Sequence, residues 1–155
     1  MRGMPGGGSR SCSAKEDTPI EKRLDIQPGE GIGPIRHGMR PAEVLAAVPE
    51  PRVFEDWMGG NLNDALLFHG LRLHFSGCDA RAPLPDSTLN WVVIHQREDA
   101  YLFGRPVAEW TKDAVVRELR QRGYDVQLPP HGDVEVPQQL GMSFDNEGRL
   151  IWVEV

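Results

Sequence analysis

The chain has 155 residues, 39% of them hydrophobic and 26% charged, with a formal net charge of −6. That length allows one domain, or two small modules sharing a core, and excludes a typical multidomain enzyme. The composition is that of a folded protein, and the acidic balance argues against sequence-independent nucleic-acid binding, which needs clustered Lys and Arg to displace counterions.

Residues 1–22 hold Gly, Ser, Lys and Glu with almost nothing apolar to bury, so a flexible tail is expected. The tail lacks the apolar centre of a signal peptide. No run in the chain approaches the roughly 20 apolar residues of a membrane span. A cytoplasmic location is therefore expected. Cys12 and Cys78 are the only cysteines. With Cys12 in the tail they make no disulfide framework.

A first apolar pattern begins at Leu24 and Ile26 and runs into GEGIGPIRHGM, residues 29–39. Gly29, Gly31 and Gly33 followed by Pro34 miss the G-x-G-x-x-G spacing of a dinucleotide loop, and no Lys-Ser or Lys-Thr follows as in a P-loop. Turn geometry is the better account of these glycines. A short helix is predicted over Pro41–Val48. Pro41 suits the first helical position, and Glu43 lies in the first turn where it favours the helix dipole. Val44, Leu45 and Val48 would form its apolar face, and Pro49 and Pro51 stop it.

Next come DALLFHGLRLHF and TLNWVVIHQ, both rich in β-formers. Leu71, Leu73 and Phe75 alternate with Arg72 and His74, the period of a half-buried strand. Between the two stretches, SGCDARAPLPDS has the Gly, Pro and Asp of a long loop. A second helix is predicted over Lys112–Arg122, with Thr111 as N-cap, Gly123 as stop, and Ala114, Val115 and Leu119 on one face. The chain closes with LGMSF, a DNEG turn and RLIWVEV, a hairpin by its turn chemistry.

Helix and strands thus occur twice in the same order, which invites a search for a repeat. Gly33 and Gly104 are 71 residues apart, as are Val44 and Val115, and Gly70 and Gly141. Leu71 and Leu73 match Met142 and Phe144 at that offset. Beyond the long loop the offset falls to 61, which pairs Leu89 with Leu150, Trp91 with Trp152, and Val92 with Val153. A single gap in a surface loop is where a duplication tolerates it.

The stretch GPIRHGMRPAEVLAAVPEP, followed by strands, resembles the entry of modules in the β-lactamase-inhibitor-protein fold. Modules of that type also occur in the small lipoprotein of the outer-membrane assembly machinery. The resemblance covers about residues 26–155. It implies a short helix on an antiparallel sheet, used twice in tandem. Here Arg40 stands where a capping Ser or Thr is usual, and Glu109-Trp110 replaces Gly-Met in the second module.

No catalytic constellation is visible. Glu55-Asp56 and Glu98-Asp99 sit in polar stretches, and no Ser-His-Asp elbow occurs. His69, His74 and Cys78 are the best metal candidates, but their spacing fits no familiar zinc pattern. The tryptophans are more informative. In the last strand Ile151, Val153 and Val155 alternate with Leu150, Trp152 and Glu154. If the aliphatic face packs on the helices, Trp91 and Trp152 project onto an open sheet face. If the tryptophans are core, the aliphatics cover the other side. Alternation alone does not tell which face is buried.

The expectation is an α+β protein of two similar modules, residues 23–100 and 101–155, forming one compact unit. Each module would be a short helical segment packed on an antiparallel sheet. The expected function is non-enzymatic protein interaction, in the manner of an inhibitor or immunity-type protein, with no cofactor. Candidate partner-binding residues are Arg72, His74, Trp91, Trp110 and Trp152. The alternative is a small-ligand or metal-binding protein that uses the cleft between modules and the His69, His74 and Cys78 region.

Overall fold

The computed structural model describes residues 22–53, 63–130 and 132–155. The expected tail falls almost wholly outside the described residues, as do Cys12, Glu55-Asp56 and His131. The described residues form an α+β fold of two sheets and two α-helices.

The glycine-rich segment is a small meander. Strand β1 (Leu24–Gln27) pairs antiparallel with β2 (Gly31–Ile32), which pairs with β3 (Ile35–Arg36). At Gly31 φ is +149°, and a Cβ there would stand 2.1 Å from the Ile35 carbonyl oxygen, so this position needs glycine. The glycines serve backbone turns and close approach, as their spacing suggested.

Helix α1 (Pro41–Ala47) starts and stops where its signals placed it. Arg40 does the work of a cap only in part: its backbone N–H donates to Glu43 Oε1 at 2.9 Å. Val44 and Val48 are buried, but Leu45 is 41% exposed, so the helix face is narrower than expected. Strand β4 (Ala65–Phe68) turns through Gly70 into β5 (Leu71–Phe75), and the long loop leads to β6 (Leu89–Ile94). Strands β7 (Ala100–Leu102) and β8 (Arg105–Pro106) form a hairpin with Gly104 at its turn. A 3₁₀ turn over Val107–Glu109 precedes α2 (Lys112–Gln121). Thr111 Oγ1 accepts from the Ala114 N–H at 3.3 Å, the expected N-cap. Strands β9 (Val134–Val136), β10 (Leu140–Phe144) and β11 (Leu150–Glu154) complete the chain.

The larger sheet has the order β4-β5-β6-β11-β10-β9. Its halves are two three-stranded meanders that meet antiparallel at β6 and β11, with Val153 opposite Ile94 and Glu154 opposite Val93. The entry segments of the two helices are each bonded at the N-terminal end of a central strand. Gly38 and Met39 exchange backbone hydrogen bonds with Leu89, and Thr111 bridges Arg149. The smaller sheet, β3-β2-β1-β7-β8, departs from the antiparallel expectation, because β1 and β7 pair in parallel. The expected boundary between residues 100 and 101 falls inside β7. Both sheets therefore cross the two halves, and one core cluster spans Ile26, Val44, Leu73, Val92, Val115, Leu119, Met142 and Val153.

Candidate functional site: the open face of the larger sheet

Strand registers assign each side chain of the larger sheet to a face. Leu66, Phe68, Leu71, Leu73, Val92, Ile94, Met142 and Val153 lie on one face, and all belong to the core. Arg72, His74, Trp91, Val93, Glu154, Trp152, Ser143, Gly141 and Glu135 occupy the other. The aliphatic face thus joins the core, and both Trp91 and Trp152 project from the opposite face, on which Arg72, His74, Val93 and Ser143 are also buried while Trp91 and Glu135 are exposed. Of the matched pairs, Leu71 and Met142, Val92 and Val153, and Trp91 and Trp152 share a face. Gly70 and Gly141 do not correspond, since Gly70 makes a turn while Gly141 lies inside β10.

A register shift at Ser143/Phe144 corrects part of the expected alternation. Ser143 pairs with Trp152, and Phe144 with Leu150, so Ile151 is the extra residue of a bulge. Leu150 consequently packs against the core, and Ile151 is 37% exposed.

Trp91 is 38% exposed. Its indole stacks on the His74 ring, with centroids 4.4 Å apart and planes at 26°. His74 is held in turn: Nδ1 lies 3.1 Å from Asp64 Oδ2, and Nε2 lies 3.2 Å from an Arg72 guanidinium nitrogen. Arg72 and His74 are both buried, and His74, directly across from Trp91 on the neighbouring strand, holds the indole by this stack. Trp152, half-buried, donates from Nε1 to Glu154 Oε2 at 3.3 Å.

Trp110 does not join this face. It is buried, donates from Nε1 to the Leu102 carbonyl at 3.0 Å, and lies under the Arg105 guanidinium, 4.1 Å from the ring centroid. It belongs to the core. The metal candidates are not brought together either. His69 is at the exposed turn before β5, Cys78 is exposed beyond the far end of that strand, and His74 is engaged with Asp64 and Arg72. Among the described residues no group of three or more His, Cys, Asp or Glu could hold a metal ion.

Among the described residues a trough of about 320 Å³, which sequence patterns did not single out, lies beside Trp91 and Glu154. His37, Asn90, Trp91, Glu135, Gly141 and Glu154 contribute to its lining, together with the 136–140 turn. Glu154 shares its parity with Trp152, so half of this arrangement was readable in the last strand. The part supplied by β9 depends on long-range strand order.

No helix among the described residues is long and apolar enough to cross a membrane. Comparison of the chain with protein-family models, with curated proteins and with solved structures yields no match.

Proposed function

We propose that the protein is a non-enzymatic interaction module that docks a partner protein on the open face of the larger sheet, in the manner of an inhibitor or immunity-type protein. The observation that carries this reading is the placement of Trp91 and Trp152 opposite the buried aliphatic face. Such aromatics are costly to leave in water, and they are the residue type that dominates binding energy at protein interfaces. The two meanders joined at β6 and β11, each preceded by a helix, also support the resemblance to tandem modules of the β-lactamase-inhibitor-protein fold. That resemblance concerns fold and supplies no partner.

The test is capture of partners from the native host, read by mass spectrometry, with the wild type beside Trp91→Ala and Trp152→Ala. A hot-spot tryptophan contributes about 2 kcal/mol or more, roughly a thirty-fold loss of affinity. The expected result is loss of the same captured protein in both variants while circular dichroism shows an intact fold. Capture unchanged by either substitution refutes the docking face. Elemental analysis addresses the metal-binding alternative: stoichiometric zinc in purified protein would favour it.

A further inference from the structure

The trough on the open face has a chemistry of its own. Building on the docking role proposed above, we propose that it receives the guanidinium of an arginine side chain carried by the partner protein.

Three adjacent strands build its floor. Gly141 of β10 stands directly opposite Glu135 of β9 on one side and Glu154 of β11 on the other. The two carboxylate-bearing residues therefore flank a position with no side chain, with their Cα atoms about 10 Å apart at the usual strand spacing. A Cβ at Gly141 would come 3.8 Å from Glu154 Cβ and 3.9 Å from its Oε2, so even a modest side chain would begin to fill the gap. Trp91 forms a wall. It lies two residues from Val93, which pairs with Glu154, so the indole stands diagonal to that carboxylate on the same face.

The charge is unbalanced. None of the described residues lining the trough is Lys or Arg, and neither Glu135 nor Glu154 has a cationic partner among the described residues. His37, at the rim, turns its Nε2 to the Val155 carbonyl oxygen at 3.2 Å. Among the described residues the Glu154 carboxylate accepts the neutral Trp152 N–H. Two carboxylates beside an indole form the complement of a cation that is also planar. Guanidinium meets both demands, since it bonds carboxylates through a fork of N–H donors and stacks on aromatic faces. An ammonium offers the charge without the plane. A volume of about 320 Å³ is at the small end for ligand pockets, and suits one long side chain better than a free metabolite.

Peptide titration followed by ¹H–¹⁵N NMR reads this directly, using acetyl-Gly-Arg-Gly-amide on the full chain at neutral pH. Matching peptides with lysine, or with the neutral isostere citrulline, serve as comparisons. The expected result is saturable shifts of the Gly141 amide and the Trp91 indole N–H with the arginine peptide. The buried Trp110 indole should stay fixed, and the citrulline peptide should have no effect. Glu135→Gln combined with Glu154→Gln should weaken arginine binding about five-fold, the scale of exposed ion pairs. Glu135→Gln alone, at an exposed position, should weaken it about two-fold and guards against a folding defect. Absence of saturable shifts overturns the assignment, and so does equal binding of the citrulline or lysine peptide.

Failure here is separable from failure of the docking role. If partner capture is lost in Trp91→Ala and Trp152→Ala but survives the double Gln variant, the face docks a partner by other chemistry and the arginine assignment falls. If the arginine peptide seats at Gly141 while capture ignores the tryptophans, the trough stands and the docking role falls.

Discussion

Replacing Trp91 and Trp110 by alanine, one at a time, separates a surface tryptophan from a core one. Trp110 is 4% exposed, donates to the Leu102 carbonyl at 3.0 Å, meets Phe103 edge to face at 6.3 Å, and carries Arg105 over its ring. Truncation leaves a cavity beside Phe103, Leu102 and Val107 and removes the hydrogen bond to that carbonyl, so about 3–5 kcal/mol should be lost. Trp91, 38% exposed, loses its stack on His74, worth about 0.5–1.5 kcal/mol, and part of its apolar contact. The total for Trp91→Ala should be about 1–2 kcal/mol. For a chain of this size each kcal/mol moves Tm by about 2–4 °C. Thermal melts by far-UV circular dichroism should therefore place Trp110→Ala about 6–20 °C below wild type, and Trp91→Ala about 2–8 °C below. Urea midpoints at constant slope provide an independent check. Equal destabilisation by the two substitutions would show that Trp91 is core, and the open-face assignment would then be wrong.

Arg97 ties the two sheets' connections together: its guanidinium donates to Glu50 Oε2 at 2.9 Å, Asp99 Oδ1 at 2.7 Å and the His69 carbonyl at 2.8 Å. Arg97→Ala should cost about 1–3 kcal/mol by urea unfolding, less than a fully buried pair because both carboxylates keep some water. At Gly31, alanine meets both a positive φ and the Ile35 carbonyl, so Gly31→Ala should lose about 1–3 kcal/mol. Gly104→Ala, with φ +76° but open space around the new Cβ, should lose no more than about 1–2 kcal/mol in the same assay. The Asp145 carboxylate accepts the Arg149 and Glu147 backbone N–H groups, which with the Arg149 charge hold its pKa below the ordinary 3.8. The unfolded chain therefore binds this proton more readily, and the contribution is complete above pH 3.8 and lost as pH falls through the lower folded value. Asp145→Asn keeps the acceptor and removes the titration, so its acid-unfolding curve should be flatter below that pH than the wild type's.

Local signals carried well from sequence into structure. Pro41, Glu43 and the following prolines bound α1, Thr111 and Gly123 bound α2, and DNEG makes the last hairpin turn, because each acts within a few residues of backbone. What failed depends on distant partners. The parallel pairing of β1 with β7 joins strands of four and three residues, too short to show a pattern of their own. The bulge at Ile151 shifts parity by one, and a run such as RLIWVEV contains nothing that marks where the extra residue falls. Trp110 follows a 3₁₀ turn, where neither the helical nor the strand period applies, so its burial was not readable. The trough needed the full strand order, since Glu135, Gly141 and Glu154 come together only once β9, β10 and β11 lie side by side.

For the docking role proposed above, the larger sheet has two kinds of surface, its edges and the face that carries Trp91, and backbone bonding distinguishes them. An edge recruits an incoming strand through unpaired N–H and C=O groups. At the β9 edge, Glu135 already exchanges both of its outward backbone bonds with Gln127, at 2.7 and 2.9 Å, and Pro137 follows with no N–H to give. At the opposite edge, the Leu67 carbonyl of β4 accepts the Val53 N–H at 2.9 Å. Both edges are thus engaged by the chain's own flanking segments, and strand addition would have to displace them. The face needs no such displacement. Trp91 stands on His74, His74 is fixed by Asp64, and Gly141 leaves the gap beside Glu154 open. A surface whose aromatic is already locked in place loses little side-chain entropy on binding. The edge makes a sharp distinction available to experiment: Gln127→Pro removes the N–H that donates to the Glu135 carbonyl, so a partner that docks by the face should bind it unchanged, whereas one that adds a strand at β9 should bind it more tightly.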